Sequence, residues 1–180
     1  MTAAHARVVS AIGPSRLAAA AQCIGAPATV YAEYIREVAF ELGQQRITLA
    51  VNGDSETTEL LARTFLDRGG LTVECYVSDP PRRHRTWPRG TEIVRLPPEL
   101  IPLALVQTAD VVLCVGFGIG TVLEICLAKL HSRAHVLICR HLVSRPLPAE
   151  CAFDRLSYID SATQLAAALE SPWQSANASR

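Results

Sequence analysis

Short apolar runs of strand length alternate with longer stretches of helical period along most of this chain, and no two runs are joined by a two-residue hairpin signal. Neighbouring strands without hairpins must run parallel, and a parallel pair needs a crossover of a dozen or more residues, normally a helix. The expected fold is therefore α/β: a Rossmann-like, doubly wound parallel sheet with helices on both faces. Strands are expected over 7–13, 46–54, 71–77, 110–116 and 134–140, and helices over 30–43, 55–70, 99–109, 121–132 and 161–171, with LSYI (156–159) as a short extra run. Val30, Tyr34, Val38 and Leu42 fall four apart as a helical stripe closed by Gly43, and Ser55 is placed to cap the helix that stops at Gly69-Gly70. Residues 78–102 change character, with six of the eleven prolines and with Arg82, Arg83, His84, Arg85 and Arg89. They read as a Pro/Arg-rich loop with the makings of a lid, and residues 172–180 as a frayed tail.

With 180 residues, 49% of them hydrophobic, the chain can bury one substantial core, so a single domain over 1–180 is expected. A formal net charge of +0 provides no global field for nucleic acid or an anionic membrane surface. No apolar run approaches the roughly 20 residues that span a bilayer. Of the six cysteines, Cys75, Cys114, Cys126 and Cys139 sit inside apolar runs, where Cys acts as a small hydrophobe, and no CxxC or Cys/His ligand spacing occurs. Reduced thiols, a cytoplasmic location and no metal site are the expectation.

In a doubly wound sheet, ligands bind beyond the carboxyl ends of the strands, near the point where strand order reverses. The candidate segments are IGPSR, VNGDSE and VGFGIGT. The last is a glycine-rich turn of Gly116, Gly118, Ile119 and Gly120, followed by Thr121 at a helix start whose free N–H groups and dipole attract anions. Glu124 lies one turn further, able to lean back toward the ligand. Gly13 and Ser15, with Arg16 beside them, mark the first strand end; Asn52, Gly53, Asp54 and Glu56 mark the second. On pattern alone each turn could equally serve packing, and Asp54 and Ser55 could simply cap a helix. Trp87 is either a stacking platform for a base or a loop anchor.

GFGIGTVLE resembles the PGGxGTxxE motif of the LONELY GUY family, long regarded as possible lysine decarboxylases and known as cytokinin-activating nucleotide phosphoribohydrolases. Gly118, Gly120, Thr121 and Glu124 match, whereas Gly116 stands in place of Pro and Phe117 in place of Gly. The preceding ADVVLCV is similar to the family's strand. Over residues 51–59, the family's second signature, GGGxxGLMG, is matched only at Gly53. Element order agrees over about 7–170, which makes this a divergent likeness. The wider superfamily, which includes molybdenum-cofactor carrier proteins and nucleotide sensors, resembles the chain as well. GTVLEICLA is also similar to the segment of nucleoside deoxyribosyltransferases that carries their catalytic Glu, although those proteins lack a counterpart of 46–70.

The resemblance implies a small-molecule nucleotide or nucleoside partner, a homodimer, no cofactor, and Glu124 as the catalytic residue. The family's Arg, which works with that Glu, would fall at Ile101, followed here by Pro102; Arg95 and the loop arginines are the substitutes at hand. Asp54 and Glu56 acidify a loop that is neutral in the family, which repels a phosphate there and suits ribose hydroxyls, an amine or a metal. Two functions follow as expectations. One is hydrolysis of the N-glycosidic bond of a nucleoside monophosphate, with the ligand on Gly13, Ser15, Asn52, Gly53, Asp54, Glu56, Gly116, Gly118, Ile119, Gly120 and Thr121. The alternative is a non-catalytic carrier or sensor of the same fold, of nucleotide or molybdenum-cofactor type.

Overall fold

A computed structural model of the chain describes residues 7–80 and 86–170. Seven strands form one sheet: β1 (Arg7–Ile12), β2 (Ile47–Asn52), β3 (Thr72–Ser78), β4 (Thr91–Leu96), β5 (Val111–Cys114), β6 (His135–Cys139) and β7 (Leu156–Ile159). Their order is β4-β3-β2-β1-β5-β6-β7, and every neighbouring pair is parallel. The expected α/β, Rossmann-like doubly wound sheet is thus the observed one. The helices are α1 (Leu17–Cys23), α2 (Ala28–Gly43), α3 (Glu56–Asp67), α4 (Ile101–Thr108) and α5 (Ile119–His131), and residues 165–170 close the described chain as a further helical segment.

The period-two pleat explains why the central strands read as unbroken apolar runs. Val111 and Leu113 of β5 face the core shared with Tyr31, Ile35 and Phe65 of α2 and α3, while Val112 and Cys114 face Ile125 and Ala128 of α5. Both faces are covered, so both must be apolar. A smaller cluster seats Ile101 and Leu105 of α4 on Ala50 and Tyr76.

Several expectations change. In α2 the buried stripe is Tyr31, Ile35, Val38 and Leu42, while Val30 is exposed and Tyr34 only half-buried. Alternating steps of four and three follow the 3.6-residue turn, whereas repeated fours walk off the buried face. Helix α1 was not expected at all, because seven residues rich in alanine carry no readable stripe. Residues 91–96 are the edge strand β4 rather than loop; half-exposed and flanked by prolines, they lack the apolar run that reveals an interior strand. Pro102 sits in the first turn of α4, where its missing N–H costs nothing. Helix α3 stops at Arg68 because Gly69 takes φ +94° and the Gly70 N–H returns to the Phe65 carbonyl at 2.9 Å. Arg82, Arg83, His84, Arg85 and the 172–180 tail lie outside the described residues.

From β1 the sheet extends one way through β2, β3 and β4, and from β5 the other way through β6 and β7. The turns leaving β1 and β5 lead to helices on opposite faces, which opens a crevice between them.

Candidate functional site

That crevice is a cleft of about 690 Å³. Gly13, Pro14, Ser15 and Arg16 of the β1–α1 turn form one side, continued by Ala19, Ala20 and Cys23 of α1. Asn52, Asp54 and Ser55 come from the β2–α3 turn, and Pro98, Ile101 and Pro102 from the approach to α4. Phe117, Gly118, Ile119, Gly120, Thr121 and Glu124 complete it from the start of α5.

The start of α5 is built to stay open. Gly118 is its N-cap in extended conformation and offers no side-chain oxygen; the helix has no acidic residue in its first turn. The Val122 N–H bonds to the Gly118 carbonyl at 3.0 Å, while the N–H groups of Ile119, Gly120 and Thr121 have no partner among the described residues. Thr121 is 1% exposed and its Oγ1 makes no hydrogen bond. Glu124, 6% exposed, has its carboxyl pushed up to about 8 by burial alone, so it is mostly protonated at neutral pH. Unpaired N–H groups, a spare hydroxyl and an uncharged acid together suit an anionic group.

The facing turns are closed on themselves. Ser55 caps α3 by accepting from the Thr58 N–H, and it donates to the Pro14 carbonyl at 2.9 Å; Thr57 Oγ1 donates to the same carbonyl. The Asp54 N–H donates to Asn52 Oδ1 at 2.9 Å, which holds the turn and leaves the Asp54 side chain on the cleft wall. Glu56 was expected at the ligand; instead its carboxylate accepts the Leu17 N–H at 3.1 Å and caps α1, and its own N–H goes to the Ser15 carbonyl.

The cleft thus gathers Gly13, Ser15, Asn52, Asp54, Gly118, Ile119, Gly120, Thr121 and Glu124, and leaves Gly53, Glu56 and Gly116 off its wall. The two glycines have packing roles. A Cβ on Gly53 would lie 2.6 Å from Cys75 Sγ and Val77 Cγ1, and Gly116, at φ +132°, is wedged against Tyr31 and Pro14. Among the described residues Arg16 is the cationic side chain on the wall; it is absent from the expected ligand set because the helix it precedes has no readable stripe. Cys23, at the end of that helix, is missing from the ligand set for the same reason, whereas Phe117 stands in the expected glycine turn, where the resembled motif has Gly. Ile101 and Pro102 make an apolar wall where the resemblance called for Arg. Arg89 and Arg95 are exposed and off the wall. Trp87 packs on the core beneath the Arg63 guanidinium, 5.7 Å from its ring centre, as a loop anchor. Cys114 is buried, its thiol pushed up to about 12, whereas Cys126 is only half-buried and so not the core residue expected. No three His, Cys, Asp or Glu side chains gather as a metal site among the described residues.

The fold is that of the Rossmann-like α/β proteins whose ligand crevice opens at a switch point. No family model matches the chain, and no curated protein matches it. Among solved structures it is similar to the molybdenum cofactor carrier protein of Chlamydomonas reinhardtii, with TM-score 0.73 and 13% identity over 94% of this chain and 99% of that one. It is similar also to the molybdenum cofactor binding protein of the phototrophic bacterium Rippkaea orientalis, with TM-score 0.69 and 16% identity over 94% and 98% of the two chains. A structural-genomics target, TM1055, aligns with TM-score 0.65 and 16% identity over 92% and 99%. At these identities the likeness is one of fold.

Proposed function

We propose that this protein is a carrier or sensor that holds a small phosphate-bearing ligand, of nucleotide or molybdenum-cofactor type, in the switch-point cleft. The observation that carries the reading is the open N-terminus of α5: three N–H groups without partners and the unpaired Thr121 hydroxyl, beside a Glu124 that burial keeps uncharged. The anionic group docks there, Arg16 closes on it from α1, and Asp54 and Asn52 face the hydroxyls of a sugar or sugar-like middle. Two of the structural neighbours are named for carrying or binding the molybdenum cofactor, which supports carriage over turnover.

A protonated Glu124 also supports the second reading, N-glycosidic hydrolysis. Such an acid donates a proton to a leaving base, but it lacks the negative charge that stabilises an oxocarbenium-like centre. The apolar wall at Ile101 and Pro102 contributes no charge of its own. Hence carriage is the first reading and hydrolysis the second.

The chain is further proposed to work as a homodimer. Ile119, Leu123 and Leu130 of α5 are 95%, 52% and 71% exposed and follow one another at helical spacing. A second copy packed on this stripe would cover it and approach the cleft at Ile119.

Native mass spectrometry with a panel of nucleoside monophosphates separates the readings. An intact, saturable adduct with no free base is the result expected of a carrier. Free base that vanishes in Glu124→Ala would install the hydrolase instead, and absence of any adduct would sink the hydrolase and the nucleotide form of the carrier. Light scattering of the unaltered chain and of Leu123→Glu tests the dimer: a monomeric unaltered protein rules it out.

A further inference from the structure

A second cavity, of about 310 Å³, lies at the carboxyl end of β6, beside the last residue of α1. Ile24 and Ala26 of the α1–α2 turn, Tyr34 of α2, and Arg140, His141, Val143 and Ser144 after β6 line it, and Cys23 borders both cavities. It lies at the same edge of the sheet as the cleft, one strand beyond β5, and meets the cleft at Cys23.

His141 is the informative residue. Neither Nδ1 nor Nε2 has a hydrogen-bond partner, and both are shielded from solvent. The ring stands edge-on to Tyr34, with centroids 4.8 Å apart and planes at 78°. Two shielded, unsatisfied nitrogens in a half-buried ring are an unfavourable arrangement that a rotation toward a ligand edge in the adjoining cavity would relieve.

The charge balance decides what that ligand end is. Arg140 is the cation at the pocket, but its Nε is 2.6 Å from Asp160 Oδ1 and its guanidinium lies over the Tyr158 ring, 4.6 Å from the centroid. Burial lowers the His141 pKa, with Glu37 and Asp160 opposing the shift more weakly, so the imidazole is neutral near pH 7. No surplus positive charge remains to hold a phosphate. A neutral imidazole instead presents one donor and one acceptor, Ser144 brings a hydroxyl, and Ile24, Ala26 and Val143 bring apolar surface. Flat rings with polar edges have those requirements.

We infer that this second cavity is a subsite for a flat heteroaromatic ring with hydrogen-bonding edges, of nucleobase class, belonging to the ligand whose anionic end docks on α5. The inference rests on the nucleotide reading given above and adds to it where the ring goes. His141 and Ser144 meet the ring's edge, Tyr34 and the aliphatic walls meet its faces, and the ligand passes Cys23 between the two ends.

The test compares AMP with ribose 5-phosphate by calorimetry on the intact protein. AMP is expected to bind at least about ten-fold more tightly, with His141→Ala and Ser144→Ala each eroding that advantage while affinity for ribose 5-phosphate is unchanged. Because His141→Ala could perturb packing, a second readout uses the unaltered protein: adenosine, which has no phosphate, should shift the His141 imidazole ¹⁵N signals saturably. Equal affinity for AMP and ribose 5-phosphate overturns this inference alone, as does an AMP advantage that survives both substitutions or an unmoved His141 signal. If neither phosphate compound binds, the nucleotide reading falls with it.

Discussion

Two helix starts face each other across the cleft, and they are finished in opposite ways. At α3, Ser55 caps the helix, Glu56 and Glu59 occupy the first turn, and Thr57 and Ser55 tie the turn to Pro14. At α5 no side chain caps, no acid sits in the first turn, and the Thr121 hydroxyl is left over. Both helices follow a strand at the same edge of the sheet, so backbone geometry alone would make either an anion site. The side chains decide otherwise. Carboxylates and a hydroxyl satisfy the positive end of α3 internally, and the α5 end keeps that capacity for something else. Even α1 is capped from within, by the Glu56 carboxylate on the Leu17 N–H.

The sharpest way to break this contrast is to close α5 as α3 is closed. Gly120 is exposed and a Cβ there meets nothing within 4 Å, so Gly120→Glu should fold normally. A carboxylate placed where the anion docks is expected to weaken AMP binding about 100-fold or more, measured by calorimetry. Unchanged affinity would mean the ligand does not use this helix end.

Glu124 provides the next largest effect. It ionises near 4.5 in the unfolded chain and near 8 in the fold, so between those values the native state holds the extra proton and stability falls as pH rises. Below 4.5 both states are protonated and nothing is lost. Glu124→Gln should flatten that decline and gain on the order of a few kcal/mol at pH 8, read from urea melts at several pH values. Equal pH profiles for the two proteins would show that Glu124 finds a partner or water in solution.

Smaller changes sharpen the comparison further. Thr121→Val removes the unpaired hydroxyl and is expected to leave stability level or raised while AMP binding weakens by about five- to ten-fold. A clear loss of stability instead would give that hydroxyl a structural role. Ser55→Ala should do the reverse, costing about 1 kcal/mol in denaturant melts while affinity changes little. A large affinity loss there would make the α3 turn part of the ligand's contact surface.

Much of this layout was legible beforehand. The glycine turn followed by Thr121 and Glu124 marked this helix start as a candidate anion site, although the helix begins two residues before Thr121, at Ile119, with Gly118 as its cap. The capping role of Glu56 left no mark in the sequence because its partner, the Leu17 N–H, belongs to a helix with no visible periodicity. Gly53 and Gly116 looked like ligand glycines for a related reason: a glycine that admits a ligand and one that admits a neighbouring side chain leave the same mark in a sequence. His141 belongs to no motif, and its unsatisfied nitrogens are visible only with Tyr34 packed against its ring.

The sequence by itself determined that the sheet is parallel and where the helices with a readable stripe lie, because two-faced burial and crossover length are local consequences of composition and spacing. Only the tertiary structure decided which helix ends were spent on internal caps and which stayed open, and that burial raises the Glu124 carboxyl. Those outcomes depend on partners brought together from distant parts of the chain, such as Glu56 with Leu17 and Ser55 with Pro14, and on how completely water is excluded around one carboxyl.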